Sequence, residues 1–368
     1  MKNTFATLPD DLVRYAQSRA VPGPEYGRFR YGIGKEPTYW ASAFMVLALD
    51  LVGKLDQIST EQRRQWRDYL QASQDPETGL CLDPAFRSGD RHSPSHTDDM
   101  VHWHSTTFIL GALILLGGKP KYPISVIHPF LEPAKMRAWI EQLPWRISPW
   151  VVGNWTYDFG CLAGFERMVS GPEKINPALD AFFAWHDTHQ LPATGWWDLT
   201  GKAPVTHQQY GGYHTLMVYW MFDREVPRPE AMIDRSLSIQ SPEGHFGGGC
   251  CADMDVIDAT VSLCRQYDLS RSEVTRAMER ALPWMAGTKL PGSGFLDVPN
   301  AKQGRAEYGW KTCGVAADEP DPCSAHFRTF SLALMSELID VPGLEGFRWK
   351  HHHTFCHGVR PAALRCGD

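Results

Sequence analysis

The chain of 368 residues is long enough for one large domain or two ordinary ones. Its 43% hydrophobic and 21% charged residues are those of a soluble globular protein. A net charge of −6 argues against nucleic acid or an anionic membrane surface as the main partner.

The N-terminus, "MKNTFATLPDDL", has one lysine and no apolar segment behind it, so it does not read as a secretory signal. Nine cysteines without a Cys-x-x-Cys pair fit reduced thiols better than a disulfide framework, and the expected compartment is cytoplasmic. The longest apolar run, Thr106 to Gly118, is too short to cross a bilayer and reads as a buried helix, so no transmembrane segment is expected.

Taken in chain order, the elements repeat with a period of about fifty residues. An amphipathic helix pattern at 10–20 leads through a turn around Pro22 into an apolar helix pattern at 39–52. A second, 60–73, leads through "QDPETGL" and a long insertion, "AFRSGDRHSPSH", into 105–116. The insertion has the length of a flap over a cavity mouth. A third, 134–143, leads through "QLPWRISPW" into 155–169. The fourth, 175–187, passes through "QLPATGWW" into 212–222. The fifth, 229–239, passes through "QSPEGHFGG" into 256–267, and the sixth, 272–285, through "KLPGSGF" into 324–339. Proline presets φ and glycine supplies positive φ, so each phrase is a turn.

Amphipathic helices keep one face in solvent, whereas helices apolar all round are buried. Six of each predict an inner ring wrapped by an outer ring. The expected architecture is all-α: an (α/α)6 barrel, or α/α toroid, as one domain over 1–342. Residues 343–368 form a tail with the option of packing over the cavity. An open solenoid is the alternative, but it needs polar end repeats, and the first and last apolar helices are as apolar as the rest.

The densest chemistry lies in "QSPEGHFGGGCCADMDVIDATVSL", residues 240–263. An acidic first turn of a helix accounts for Asp253. Asp255 and Asp258 stand at i, i+3 on one face, where crowding raises the pKa of one carboxyl, as a general acid requires. A divalent metal, magnesium or zinc, would relieve the same repulsion. On the second apolar helix Asp98 and His102 stand at i, i+4 and can share a proton or a metal, with a capped helix and rim histidines as the alternative.

Trp155 and Asp158 occupy the equivalent place on the third, and His207, Tyr210 and His214 on the fourth. There Gly211 and Gly212 indicate close approach of backbone or ligand. Trp310 sits near a loop position. These are candidate substrate contacts, able to face a cation or stack on a sugar, with core packing the alternative for each. Asp321, Cys323 and His326 open the sixth and are candidate metal ligands. "KHHHTFCHG", 350–358, is a further His/Cys cluster, most simply surface decoration. In a closed ring Asp98, His102, Asp158, His207, Asp255 and Cys323, near the same end of successive helices, would meet at one mouth, and that convergence favours an enzyme.

The unit of turn plus apolar helix resembles the α/α toroid of terpenoid cyclases and protein prenyltransferases. "GHFGGGCCADMDVIDATVSL" is similar to the class II cyclase arrangement of the squalene–hopene type, in which a glycine-rich loop leads into Asp-x-Asp-Asp and an inner helix. That resemblance implies that Asp255 is the general acid protonating an alkene or epoxide, with Asp253 its neighbour. The sequence departs from the pattern at Val256, where the family has Asp, and at Phe246, where its loops carry Trp. The cyclases also form their cavity between two barrels, and this chain has one. "PDPCSAHF" more weakly resembles the zinc-binding Asp-x-Cys of prenyltransferase β subunits.

The leading expectation is therefore acid-initiated cyclisation or isomerisation of an isoprenoid or other apolar small molecule, with no cofactor required. Asp255 would protonate, and Asp253 and Asp258 would tune it. The first alternative is a carbohydrate-active hydrolase or lyase acting on a saccharide, with Asp98 and Asp255 as acid and base. The second is a metal-dependent prenyltransferase-like or non-catalytic ligand-binding toroid.

Overall fold

In the computed structural model, residues 4–87, 97–269 and 271–350 are described. Among them are twelve α-helices: α1 (Leu8–Arg19), α2 (Tyr39–Leu51), α3 (Thr60–Gln71), α4 (Asp98–Leu115), α5 (Pro133–Gln142) and α6 (Pro149–Ser170), then α7 (Pro172–His189), α8 (Val205–Met221), α9 (Pro229–Leu237), α10 (Cys250–Gln266), α11 (Ser272–Thr288) and α12 (Pro322–Met335). Each falls on one of the twelve predicted patterns, and the all-α expectation holds. The one departure among the described residues is an antiparallel pair of two-residue strands, β1 (Arg305–Ala306) and β2 (Gly314–Val315), in the long loop before α12. Residues 88–96 of the expected flap, and the His/Cys cluster beyond Lys350, lie outside the described residues.

Local chemistry sets the helix starts. Thr38, Ser59, Thr97, Ser148 and Asp321 each accept a backbone N–H with the side chain, capping α2, α3, α4, α6 and α12. α4, α6, α8 and α10 begin nearly two turns earlier than their apolar runs, whereas α2 starts where its run does. α8, for instance, starts at Val205 rather than near Gly212, and α10 at Cys250 rather than Val256. Those extra turns bury polar side chains, among them His104, Asn154, Gln209, Asp253 and Asp255, so an apolar run under-reports such a helix.

Gly153 and Gly211 explain how two such helices come together. A Cβ on Gly153 would lie 2.3 Å from the Gly211 carbonyl oxygen, and one on Gly211 would lie 2.1 Å from that of Pro149. Gly211 thus serves backbone contact with α6, and Gly212 makes room for the Trp196 ring, 2.2 Å from a Cβ placed there, rather than for a ligand.

Packing runs α2 on α4, α4 on α6, α6 on α8, α8 on α10 and α10 on α12, and α12 packs back on α2. The repeated turn phrases fasten the outer layer. The Gln74 amide donates to the carbonyls of Gly79 (2.9 Å) and Tyr122 (3.0 Å). Gln190 does the same to Gly195 (2.8 Å) and Pro227 (2.7 Å), and Gln240 to Gly244 and Ala277 (both 2.8 Å). Each glutamine closes its own turn, where Gly195 for example holds φ at 71°, and ties it to a segment about forty residues on.

In the last repeat Lys289 replaces glutamine. Its ammonium donates to Leu290 O (2.7 Å), Ser293 O (2.9 Å) and the Asp11 carboxylate on α1 (2.7 Å). Nearby, Arg19 pairs with Glu319 (2.6 Å), and Tyr15 donates to Pro320 O. The C-terminal segment reaches the same seam, since a Cβ on Gly343 would lie 2.6 Å from Ala6 N. It then runs to the C-terminal end of α2, where Lys350 N donates to Leu51 O (3.0 Å).

Candidate active site

The glycine-rich run before α10 is a cradle for a carboxylate of the chain itself. Asp253 Oδ1 accepts the backbone N–H groups of Phe246 (2.7 Å), Gly247 (3.1 Å) and Gly248 (3.2 Å). Its Oδ2 takes Arg328 Nη1 (2.5 Å) and Trp284 Nε1 (3.2 Å). Arg328 comes from α12 and is fully buried. Both oxygens of Asp253 are therefore engaged, and the residue fixes the start of α10 against α12.

Two residues on, Asp255 lines a cavity of about 350 Å³, toward the small end of the range for ligand pockets. All six even-numbered helices contribute to the wall. Trp40 and Phe44 come from α2, His104 and Phe108 from α4, Trp150 and Asn154 from α6, His214 from α8, Asp255 from α10, and Cys323 and Phe327 from α12. Four of these contributions are i, i+4 pairs, one face of one helix each.

The loop segment Ala306–Gly309 covers the cavity. Arg305 anchors it through ion pairs to Asp297 (3.3 Å), Glu307 (3.0 Å) and Asp321 (2.9 Å). Tyr308 takes φ 49°, a left-handed conformation uncommon outside glycine, and its ring meets Trp40 and His104 edge-on.

Burial pushes the Asp255 carboxyl well above the usual carboxylate range, and the nearby charges of Asp258 and Asp253 push it further. Its Oδ2 is buried without a hydrogen-bond partner. Burial thus favours the neutral acid form of Asp255 over the carboxylate. Asp258, one turn along, accepts from Tyr213 OH (2.8 Å) and Ser262 Oγ (2.6 Å) and stays behind the wall.

His104 faces the same space. Its Nδ1 lies 2.8 Å from Asp158 Oδ1, and Asp158 is completely buried on α6. Desolvation lowers His104 to about 4 and raises Asp158 well above its ordinary value. His214 donates from Nδ1 to the Tyr210 carbonyl (2.6 Å), which leaves Nε2 as an acceptor, and burial lowers it to about 3.

Of the residues expected at the mouth, Asp255, His214 and Cys323 line the cavity, and Asp158 stands directly behind His104. Tyr210 donates to Phe246 O (2.8 Å) and packs on Trp150. His207 is half-buried, with Nδ1 3.0 Å from Ser148 Oγ. Other expectations are corrected. Asp98 and His102 do share a face of α4, as their spacing implied, but not the face that lines the cavity, which carries His104 and Phe108. Trp155 packs edge-on against Trp103, away from the cavity, because Trp150, Asn154 and Asp158 occupy the inner face of α6.

Trp310 stacks on Phe86 in the core. The expected metal ligands do not converge. Asp321 caps α12, accepting from Ser324 N (2.9 Å), Ser324 Oγ (2.6 Å), Tyr31 (3.0 Å) and Arg305, and His326 packs among Phe44, Phe327 and Phe330. Among the described residues no group of three His, Cys, Asp or Glu side chains is arranged to hold a metal ion.

No protein-family model matches the chain, and no curated protein matches it. Among solved structures it is similar to ent-copalyl diphosphate synthase from Streptomyces platensis, at 15% identity over 81% of this chain and 50% of that one, with a TM-score of 0.44. It is also similar to a polysaccharide lyase, at 10% identity over 92% and 100% of the two chains, with a TM-score of 0.48. A protein from Actinoplanes matches at 15% identity over 90% and 98%, with a TM-score of 0.47. The chain spans half the length of the copalyl diphosphate synthase. Likenesses this distant say nothing of the reaction.

Sequence reasoning missed His104, Asn154, Glu307 and Tyr308. For His104 the signal was present: it stands one turn before Phe108 and so continues the buried stripe of its helix. The loop residues carried none, because periodicity says nothing about a segment held in place by ion pairs.

Proposed function

We propose that the protein is an enzyme that starts the cyclisation or isomerisation of an apolar, isoprenoid-like small molecule by protonating it. In this reading the cyclic run of helix contacts is an (α/α)6 toroid extending to residue 342, and the cavity at its N-terminal pole is the reaction chamber. The observation that carries it is Asp255: a buried carboxyl with an unpartnered oxygen, lining a cavity of aromatic rings where burial favours its neutral acid form.

Asp255 gives its proton to a substrate double bond. The π pair forms the new C–H bond and leaves a carbocation, which the faces of Trp40, Phe44, Trp150 and Phe327 stabilise. Asp253 positions the helix start, and with Asp258 it keeps Asp255 protonated. Asn154, His214 and Glu307 are further polar contacts for the substrate.

The test is conversion of a panel of linear isoprenoids (farnesol, geranylgeraniol, squalene and the diphosphates of the first two) by purified protein, followed by mass spectrometry. Asp255→Asn is expected to lower the rate by about 10²–10⁴-fold, the usual worth of a general acid. Undiminished conversion by that variant sinks the reading. A carbohydrate-active second reading draws on one observation, that Asp255 and Glu307 are two carboxyls in one cavity. Release of reducing ends or unsaturated uronates from oligosaccharides would select it instead.

A further inference from the structure

Beyond the packing of His104 among Trp40, Phe108 and Tyr157, the side chains of the His104–Asp158 pair hold no backbone group or cation among the described residues. Several other buried acids do. Asp253 cradles a loop, Asp321 caps a helix, and Glu166 binds Ile124 N and His128. Asp158 offers Oδ1 to His104, and its Oδ2 has no hydrogen-bond partner. The pair sits where α4 meets α6, with the imidazole in the cavity wall opposite the helix that carries Asp255 in the cycle of contacts.

We infer that His104, positioned by Asp158, is the base that ends the reaction by taking the proton whose loss turns the carbocation into an alkene. The inference rests on the reading above. Asp158 Oδ1 accepts from His104 Nδ1–H, which leaves the lone pair on Nε2, the one ring nitrogen not engaged by Asp158. The C–H bond beside the cationic carbon breaks, its electron pair becomes the new π bond, and the proton passes to Nε2. Asp255 is then a carboxylate and His104 an imidazolium, so the cavity as a whole stays neutral. Return of one proton from His104 to Asp255 resets the site, and no co-reactant is consumed.

Low basicity keeps His104 neutral and ready to accept at neutral pH. The groups facing it are Asp158 from α6, His214 from α8, and Glu307 and Tyr308 from the covering loop. His214 is the weaker candidate, because only a peptide carbonyl backs its ring, and a charge there would stand beside His104 with ring centroids 6.4 Å apart.

Two measurements test the assignment. With an isoprenoid that the wild type converts, His104→Gln and Asp158→Asn should still consume substrate. The wild-type alkene should fall at least tenfold as a share of product, replaced by water-quenched alcohols or mixed isomers. The same alkene in the same share from both variants overturns the assignment while Asp255→Asn remains inactive. Undiminished conversion by Asp255→Asn overturns instead the reading on which it rests. Independently of substrate, ¹⁵N shifts of His104 at pH 7 should report a proton on Nδ1 in the wild type. In Asp158→Asn, whose amide donates, the proton should move to Nε2, as a merely space-filling role would not require. A wild-type ring protonated on Nε2 overturns the inference.

Discussion

Asp255 sets function against stability within one side chain. Its carboxyl is held well above the ordinary range in the folded chain by burial and by its two neighbouring aspartates, while in the unfolded chain it titrates near about 3.9. Above that pH the folded state binds more protons than the unfolded one, so the residue removes stability as pH rises toward its folded pKa, and costs nothing below about pH 4. Asp255→Asn should therefore stabilise the protein at pH 7 by about 0.5–2 kcal/mol, with the gain shrinking toward pH 4. Urea unfolding at the two pH values reads this directly. The same sign governs catalysis: activity should fall on the alkaline side as the acid loses its proton. Asp255 was legible in the sequence because its neighbours and the following apolar run mark a helix start. Asp253 was legible as a residue but not as a role, since nothing in the chain order says that Arg328, seventy-five residues away, will occupy its second oxygen.

At the scale of the element, the turn glutamines are the recurrent fastening. Gln190 is buried, donates to two carbonyls and accepts from Arg228 (2.6 Å). Gln190→Ala would strand those partners, at a cost of about 1–3 kcal/mol each for a buried unsatisfied group, less where water can enter. We expect a loss of about 2 kcal/mol in urea unfolding and unchanged substrate selectivity, because the turn lies outside the cavity wall. The twelve helices were legible because apolar periodicity and turn chemistry agree at every repeat. The starts of α4, α6 and α10 were not, since their first two turns carry His104, Asn154 and Asp255 toward a cavity, and a polar residue facing a cavity looks in sequence like one facing water. The segment over the cavity was illegible for a related reason. Arg305 binds acids on three different stretches, and no local pattern announces such a tie.

Across the whole molecule, the contact between the first and last repeats is ionic where the internal ones use the neutral amide of glutamine. Lys289 and Asp11 are both buried, and Asp11 has further partners in Thr7 and Arg14. Lys289→Ala leaves the carboxylate without its buried cation and should cost about 3–5 kcal/mol, the usual penalty for breaking a buried pair from one side. The double variant Asp11→Asn/Lys289→Met should recover much of that loss, and a thermal melt of the three proteins decides it. A double variant no more stable than Lys289→Ala alone would assign the effect to packing. The contact of α12 with α2 was foreseeable, since neither end of the helix series is more polar than the middle.

The seam also fixes an order of events in synthesis. α1 is made well before its partners Lys289, Glu319 and Pro320, about three hundred residues further on. Until they appear its apolar side, with Leu8, Leu12 and Tyr15, has mainly α2 to pack on, and contacts of such separation form slowly. The nascent chain must carry that half-covered helix while the intervening repeats are made, which makes α1 the natural place for a chaperone to hold it.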